Sequence, residues 1–199
     1  MIIVLLVEGK TESALRSKLK AFLDERAEAE GKPKVALRTR ELMSLNREKL
    51  SRRVRLELKD PQVVAVVGLI DVYPQFASAE EAKKFLRCAV GNEPRFHPHA
   101  AQYEVEAWLL PYWDEICRRL GVRRARPGGN PETVNMEHPP SRRLDDLYRL
   151  ATPPRKYVKP VEMAAILRDQ DLTVAASQCG ELKAFLNTLL GLAGLALLD

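Results

Sequence analysis

Residues 63–70 form an unbroken apolar run, Val-Val-Ala-Val-Val-Gly-Leu-Ile, and this run limits the fold more than any other feature of the sequence. Its valines and isoleucine favour extended backbone, and its length is ordinary for a strand. A strand that is apolar at every position is covered on both faces, which is typical of the central strands of a parallel sheet. The run ends at Asp71, so a carboxylate directly follows a buried strand.

Strand-like and helix-like segments alternate along the chain, which predicts an α/β fold with a mainly parallel central sheet. Residues 2–7 are a second apolar strand, and Thr11 is a candidate cap for the helix that comes next. Ser78 and Glu81 form a capping-box pattern, and Gly121 is a typical helix end. The predicted strands cover residues 2–7, 35–39, 63–70 and 95–102, and two of the predicted helices cover residues 46–59 and 104–120.

The length of the chain suits one domain with a sizeable hydrophobic core. We expect an α/β core over residues 1–124 and a mobile loop rich in Pro and Gly over residues 125–141. Residues 142–199 are then a helical C-terminal part that packs on the same domain. The expected fold class is therefore α/β with helices flanking the sheet and a helical C-terminal extension.

The segment Gly9-Lys10-Thr11 looks like the end of a phosphate-binding loop, but the rest of that motif is missing from the sequence. The motif needs a glycine five positions before Gly9, and Val4 stands there. Residues 4–7 are an apolar run that cannot curl its backbone N–H groups around a phosphate. We therefore interpret the segment as the link from a strand to a helix. Lys10 is either a phosphate contact at the start of that helix or a solvated side chain.

Two carboxylates directly follow the two most convincing strands, Glu8 after residues 2–7 and Asp71 after residues 63–70. The carboxyl ends of parallel strands lie at one edge of the sheet, where α/β proteins form their ligand clefts. We therefore expect Glu8 and Asp71 to meet there and to bind Mg²⁺ or Mn²⁺, ions that prefer oxygen ligands. A helix cap or a solvated side chain is the alternative for each of these acids.

Glu104 and Glu106 flank Val105 at the point where a predicted strand changes into a helix. Residues two apart on a regular helix point in nearly opposite directions, but at such a junction one or both can face the cleft. They are candidates to complete the metal site. A pair of ions there would activate a water molecule and stabilise the leaving oxygen of a phosphodiester.

Clusters of arginine distinguish the chain more than its formal net charge of +5 does. The planar guanidinium group suits phosphate, so several clusters in one domain favour a polyanion such as DNA or RNA as the partner. For any single cluster, a solvated helix face or loop is the simpler explanation. The candidate nucleic-acid-binding residues are Arg123, Arg124, Arg126, Arg155, Lys156 and Lys159.

Segments over most of the chain resemble, in the same order, a family of short bacterial Toprim-like proteins of uncharacterised function. The segments are residues 7–12 (VEGKTE), 69–73 (LIDVY), 103–110 (YEVEAWLL), 157–160 (YVKP) and 179–186 (CGELKAFL). The resemblance implies a Toprim-type α/β domain, as in topoisomerases, primases and overcoming-lysogenisation-defect nucleases. It also implies a partner ATPase, because such proteins are often encoded near one, and a role in defence against phage, which is suspected for the family.

In Toprim domains a glutamate after the first strand and an Asp-x-Asp pair after a later strand bind Mg²⁺ or Mn²⁺ for phosphodiester chemistry. Glu8 and Asp71 match the glutamate and the first aspartate, whereas Tyr73 stands in place of the second aspartate. The resemblance therefore leaves one ligand to be supplied, and Glu104 or Glu106 is the candidate.

The expected function is that of a divalent-metal-dependent nuclease, or another phosphodiester-processing protein, that acts on DNA or RNA. The candidate catalytic residues are Glu8, Asp71, Glu104 and Lys10, and the candidate metal ligands are Glu8, Asp71, Glu104 and Glu106. One alternative is a non-catalytic Toprim-like subunit that binds an ATPase or nucleic acid, which the missing second aspartate favours. Another is a small-molecule phosphotransfer enzyme with a deep, enclosed pocket.

The histidines, cysteines and apolar segments support weaker hypotheses. His97 and His99 could share a metal ion, but no third ligand stands nearby in the sequence, so structural roles explain them better. Cys88, Cys117 and Cys179 are far apart and indicate the reduced thiols of a cytoplasmic protein. No apolar stretch is long enough for a membrane span, so no membrane partner is expected. The apolar C-terminal tail could cover a contact in a homodimer.

Overall fold

The computed structural model of the protein describes residues 1–42, 44–133 and 138–199. The strands in these residues are β1 (Ile2–Val7), β2 (Ala36–Glu41), β3 (Val63–Asp71) and β4 (Phe96–Ala101). They form one sheet in the order β2-β1-β3-β4, and every neighbouring pair is parallel. The two apolar strands of the sequence, β1 and β3, are therefore its central strands, which the composition predicted for β3.

Helices cover both faces of the sheet. In chain order they are α1 (Lys10–Ala14), α2 (Arg16–Ala29), α3 (Arg47–Glu57), α4 (Ala79–Val90), a 3₁₀ helix (Val105–Tyr112), α5 (Trp113–Leu120), α6 (Pro140–Arg149), α7 (Lys159–Leu167), α8 (Leu172–Ala176) and α9 (Gly180–Leu192). On one face, Leu50 of α3 and Leu86 of α4 are buried with Val4 and Val66 of the sheet. The other face carries a larger hydrophobic cluster built mainly from α2, the 3₁₀ helix and the C-terminal helices.

The predicted fold class, α/β with a parallel sheet and a helical C-terminal extension, is confirmed. β1 has the predicted bounds, and β3 is one residue longer than predicted because Asp71 is its last residue. β4 contains Pro98, which cannot donate a ladder hydrogen bond. The proline is tolerated because β4 is an edge strand, which has no neighbour on its outer side.

Two helix predictions were wrong. Residues 104–120 do not form one α-helix, because Pro111 removes a backbone donor and clashes with the preceding turn. The structure instead has a 3₁₀ helix that contains Pro111, followed by α5, which ends as predicted at Gly121 with φ +67°. Thr11 does not cap a helix, since it is the second residue of α1.

The C-terminal helices are part of the same core as the sheet. The larger hydrophobic cluster joins Ile3 and Leu5 of β1 to Phe185 and Leu189 of α9. The segment expected to be a loop, residues 125–141, overlaps α6 by two residues. Within the described parts of the chain, no helix is long and apolar enough to cross a membrane.

The described part of that segment is attached to the rest of the protein at Glu132. Its buried carboxylate accepts hydrogen bonds from Trp108 Nε1 (3.1 Å) and from the backbone N–H of Glu181 (3.1 Å) at the start of α9. The residues near Glu132 are therefore held in place, which the expectation of a mobile loop did not foresee. Residues 134–137 of the segment lie outside the described residues.

Candidate acidic site at the carboxyl edge of the sheet

Glu8 and Asp71 meet at the carboxyl edge of the sheet, as the strand order requires. Val7, the last residue of β1, pairs with Leu69 of β3, so the next residue, Glu8, lies beside the end of β3. The Oε2 atom of Glu8 accepts a hydrogen bond from the backbone N–H of Asp71 at 3.4 Å. Both residues are partly exposed, so solvent reaches this part of the edge.

Asp71 also positions the segment that carries Glu104 and Glu106. Its Oδ1 atom accepts a hydrogen bond of 2.9 Å from the backbone N–H of Val105, the first residue of the 3₁₀ helix. The first N–H groups of a helix have no partner within the helix, so this carboxylate supplies one. The aspartate that ends β3 therefore brings the start of the 3₁₀ helix to the acidic edge.

Glu104 is fixed by three donors from the C-terminal part of the chain. Its Oε2 accepts from the backbone N–H of Ser141 at 3.0 Å, and its Oε1 accepts from Ser141 Oγ at 3.0 Å. The ammonium group of Lys159 donates to Oε1 at 3.1 Å. Ser141 lies in the first turn of α6 and Lys159 is the first residue of α7, so two helices begin at this carboxylate.

Glu106 is fully buried and pairs with the same lysine. Its Oε1 atom lies 3.3 Å from Lys159 Nζ, a contact that is an ion pair without hydrogen-bond geometry. Burial raises the pKa of Glu106 to about 7, although the charge of Lys159 opposes this rise. Burial by itself would lower the pKa of Lys159, but Glu106, Glu104 and Asp71 together raise it above its ordinary value. The lysine is therefore a cation that neutralises a group of carboxylates.

The carboxylates of the edge differ in their ability to bind a metal ion. Glu8 and Asp71 supply the all-oxygen donor set that Mg²⁺ prefers, and two carboxylates suffice when water and substrate phosphate complete the shell. Glu104 and Glu106 are buried beside Lys159, whereas Glu8 and Asp71 are partly exposed. In residues 1–42, 44–133 and 138–199, no three His, Cys, Asp or Glu side chains are grouped so that they could hold an ion together. The fit is therefore to the pair Glu8 and Asp71.

The predicted nucleic-acid-binding residues lie in two places. Arg123, Arg124 and Arg126 are exposed after the end of α5, and Arg126 hydrogen-bonds to Gln178. Arg123 and Arg124 line a groove of about 720 Å³ together with Arg118. The other predicted residues are Arg155, Lys156 and Lys159, which lie in the segment that leads into α7.

That second segment reaches the acidic site. Arg155 and Lys156 are exposed and stand just before Lys159, which contacts Glu104 and Glu106. Lys10, the remaining predicted residue, is exposed at the first position of α1, two residues after Glu8.

Sequence reasoning missed Ser141 and the pairing of Lys159 with the two glutamates. Ser141 follows Pro139 and Pro140, a pattern typical of a helix start, and a helix start offers N–H groups to a carboxylate. That signal was present, although nothing in the sequence linked it to Glu104. Lys159 was predicted to contact phosphate, whereas the structure places its ammonium group on two carboxylates of the chain itself.

His99 has a structural environment. Its ring is 8% exposed, its Nε2 lies 2.9 Å from Thr188 Oγ1, and its edge packs against Phe185. Burial, helped by the charges of Lys83 and nearby basic groups, lowers the pKa of His99 from 6.5 to about 4. Both contacts are to α9, so the histidine joins β4 to the C-terminal helices.

We expect His99 to make the free energy of unfolding decrease as the pH is lowered from about 6.5 to about 4. In this window the unfolded chain binds a proton that the folded chain does not bind, so folding becomes less favourable. A pKa difference of this size corresponds to about 3 kcal/mol. Urea unfolding of wild type and of His99→Gln at both pH values measures the effect, and the variant should lose less stability on acidification. An equal loss in the two proteins would contradict this assignment, and His138→Gln, at a partly exposed histidine that contacts Asp146, is the control.

Comparison with known protein families shows that one family matches most of the chain. The family described as "Domain of unknown function (DUF4276)" matches residues 7–190, which is most of the chain and includes every acid of the site. No curated protein matches the chain. Among solved structures, the C-terminal region of the Burkholderia pseudomallei OLD protein is similar, with 14% sequence identity, 96% of each chain covered and a TM-score of 0.42. A likeness at this TM-score does not establish a common fold.

Proposed function

The chain belongs to the DUF4276 family, and we propose that it is a divalent-metal-dependent enzyme that cleaves or otherwise processes phosphodiesters of nucleic acid. The observation that carries the proposal is the meeting of Glu8 and Asp71 at the carboxyl edge of a parallel sheet. This edge is where α/β proteins bind their ligands, and both residues are partly exposed there. The Toprim-like resemblance of the sequence supports the same pair as ligands of Mg²⁺ or Mn²⁺.

Each residue of the site has a defined part in this proposal. When bound, the metal ion would supply a Lewis acid that activates water and stabilises the leaving oxygen. Glu8 and Asp71 would hold it, and Asp71 also keeps the start of the 3₁₀ helix in place through Val105. Lys159 keeps Glu104 and Glu106 from adding repulsion against the phosphate. Lys10, exposed after Glu8, is placed to meet a phosphate oxygen.

Nucleic acid is the proposed substrate because exposed cations lead into the acidic edge. Arg155 and Lys156 precede Lys159 in a short segment, and Arg142 is exposed one residue after Ser141, which binds Glu104. Cations near a site attract the phosphate backbone without reading sequence. A partner ATPase and a role in phage defence are parts of the proposal that rest on the family resemblance alone, and the proposed cytoplasmic location rests on the widely spaced cysteines.

A second candidate function is a non-catalytic subunit that binds nucleic acid or an ATPase. The pairing of Lys159 with Glu104 and Glu106 favours it, because the two carboxylates expected to complete the metal site already contact a cation of the chain itself. Tyr73, in place of a second acid at the edge, points the same way. Mn²⁺ binding without cleavage would favour this subunit over the enzyme.

Removal of the metal ion tests the proposal directly. We expect the wild-type protein to cleave plasmid DNA, single-stranded DNA or RNA in millimolar Mn²⁺ or Mg²⁺, and to lose this activity in excess EDTA. Readdition of the ion should restore activity, because a chelator removes the ion and leaves the fold in place. Calorimetric titration with Mn²⁺ measures binding independently of cleavage. A folded protein that neither binds Mn²⁺ nor cleaves any of the three substrates would overturn the proposal.

A further inference from the structure

An exposed tyrosine lies beside the acidic pair, in the position where the sequence motif lacks its second aspartate. Tyr73 comes two residues after Asp71 and is 46% exposed, although most large aromatic side chains of the chain are buried. Its ring is stacked on the ring of Tyr103, with centroids 5.7 Å apart and planes inclined by 11°. One ring therefore supports the other at the edge of the sheet.

The supporting ring is held firmly by its backbone. Tyr103 is 9% exposed, and its φ of +73° is unusual for a residue with a side chain. The carbonyl of Tyr103 accepts a 2.8 Å hydrogen bond from the N–H of Tyr73, and the carbonyl of Ala101 accepts one of 3.1 Å from Val72. These bonds tie the chain after β3 to the chain after β4, so the backbone positions of the two stacked tyrosines are fixed relative to each other.

The arrangement suits a flat ligand that also carries negative charge. Tyr73 presents an aromatic surface to solvent, Asp71 lies two residues before it, and Glu104 directly follows Tyr103. Lys159 contacts Glu104, and the exposed cations Arg155 and Lys156 stand just before Lys159. Successive bases of single-stranded nucleic acid stack on such aromatic rings, whereas the bases of a duplex have their faces covered.

We propose that the Tyr73–Tyr103 pair is a stacking platform for an unpaired base, so that the site acts on single-stranded DNA or RNA. This inference rests on the proposed function, since it names the substrate class of the same site. Stacking would hold the nucleotide chain beside Glu8 and Asp71 while Arg155 and Lys156 contact its phosphates. The competing explanation is that the ring of Tyr73 only shields Tyr103 from water and contacts no base.

Binding in EDTA tests the platform without requiring catalysis. The probes are fluorescein-labelled DNA and RNA oligomers of about 12 nucleotides and the duplex of the same length, followed by fluorescence anisotropy. Wild type should bind the single strands more tightly than the duplex. Tyr73→Ala should weaken single-strand binding by about 5- to 150-fold, the range of base–aromatic stacking, and Tyr73→Phe should retain the wild-type affinity.

An oligomer of the same length with abasic positions separates stacking from a structural role. It keeps the phosphates but lacks bases, so wild type should bind it as weakly as Tyr73→Ala binds the normal strand. Tyr73→Ala should bind the abasic strand with the same affinity as wild type does, because loss of the base and loss of the ring remove the same interaction. If Tyr73→Ala weakened binding of both strands equally, the platform would be overturned.

A tryptophan at the same position reports contact directly. Trp108 and Trp113 are buried, so the fluorescence of Tyr73→Trp has a distinct exposed component. Single strands should quench this component and the duplex should not. Preference of wild type for the duplex, or absence of quenching at saturating single strand, overturns the platform. Metal-dependent cleavage of a duplex by the same protein would leave the proposed function standing while the single-strand inference fails.

Discussion

Replacing Glu8 by glutamine is expected to reduce metal-dependent cleavage by about 100-fold or more while leaving the fold intact. A metal ion stabilises the charge of the transition state by several kcal/mol, and each 1.4 kcal/mol changes a rate by about tenfold. Glutamine removes the negative charge but keeps a side-chain oxygen that can accept the hydrogen bond from Asp71 N–H. The initial rate of cleavage in Mn²⁺, together with calorimetric Mn²⁺ affinity, measures the effect.

Two further variants define what that result means. Asp71→Asn should lose activity to a similar extent, because it removes the second carboxylate of the pair. Glu25→Gln, at an exposed acid on α2, is the matched control and should retain the wild-type rate. Full activity in a folded Glu8→Gln protein would exclude Glu8 as a metal ligand, whatever the other variants show.

Replacing Lys159 by methionine is expected to lower the free energy of unfolding at neutral or higher pH, by less than the about 3–5 kcal/mol of a fully buried pair because the lysine side chain is 41% exposed. The change removes the cation from Glu106, which is fully buried, and breaking a buried ion pair in this way leaves an uncompensated charge. Methionine keeps most of the aliphatic stem, so little packing is lost. Urea unfolding of wild type and variant measures the difference.

The pH dependence of this loss identifies its cause. The pKa of Glu106 is already about 7 with the lysine present, and without the lysine it should rise further. At about pH 5 the carboxyl group of Glu106 is then protonated in both folded proteins, so removal of Lys159 should cost less than it does at about pH 8. A loss that is independent of pH would contradict the ion pair as its source.

A second substitution should restore part of the stability. In Lys159→Met combined with Glu106→Gln, no charge remains to be buried alone, so the double variant should be more stable than Lys159→Met. Lys156→Met removes an exposed lysine three positions earlier and should change stability by less than about 0.5 kcal/mol. Equal destabilisation by the two lysine substitutions would show that the contacts with Glu104 and Glu106 contribute little.

The central strands and the acidic pair could be predicted from local composition. Two strands without a polar residue had to lie at the centre of a parallel sheet, and parallel strands bring the residues after their carboxyl ends to one edge. The meeting of Glu8 and Asp71 is a consequence of that geometry alone. The break in the predicted helix at Pro111 was also readable, because proline interrupts the backbone ladder wherever it stands.

The rest of the acidic site depends on contacts between segments that are distant in the sequence. Lys159 reaches Glu104 from 55 residues away and Ser141 reaches it from 37 residues away. No local pattern specifies such pairs, since they depend on how the C-terminal helices pack against the sheet. The stacking of Tyr73 on Tyr103 could not be predicted for the same reason, because the two tyrosines are distant in the sequence. In the sequence, Tyr73 was only a departure from the Asp-x-Asp pair.

The larger hydrophobic cluster has a consequence for how the protein emerges from the ribosome. It joins Ile3, near the start of the chain, to residues as late as Leu195, and α9 supplies Phe185 and Leu189 to its interior. A nascent chain that lacks this last helix exposes to water the part of the sheet face that Phe185 and Leu189 cover. The part of the apolar face that α9 covers is therefore available to chaperones and to other unfinished chains until α9 has been synthesised.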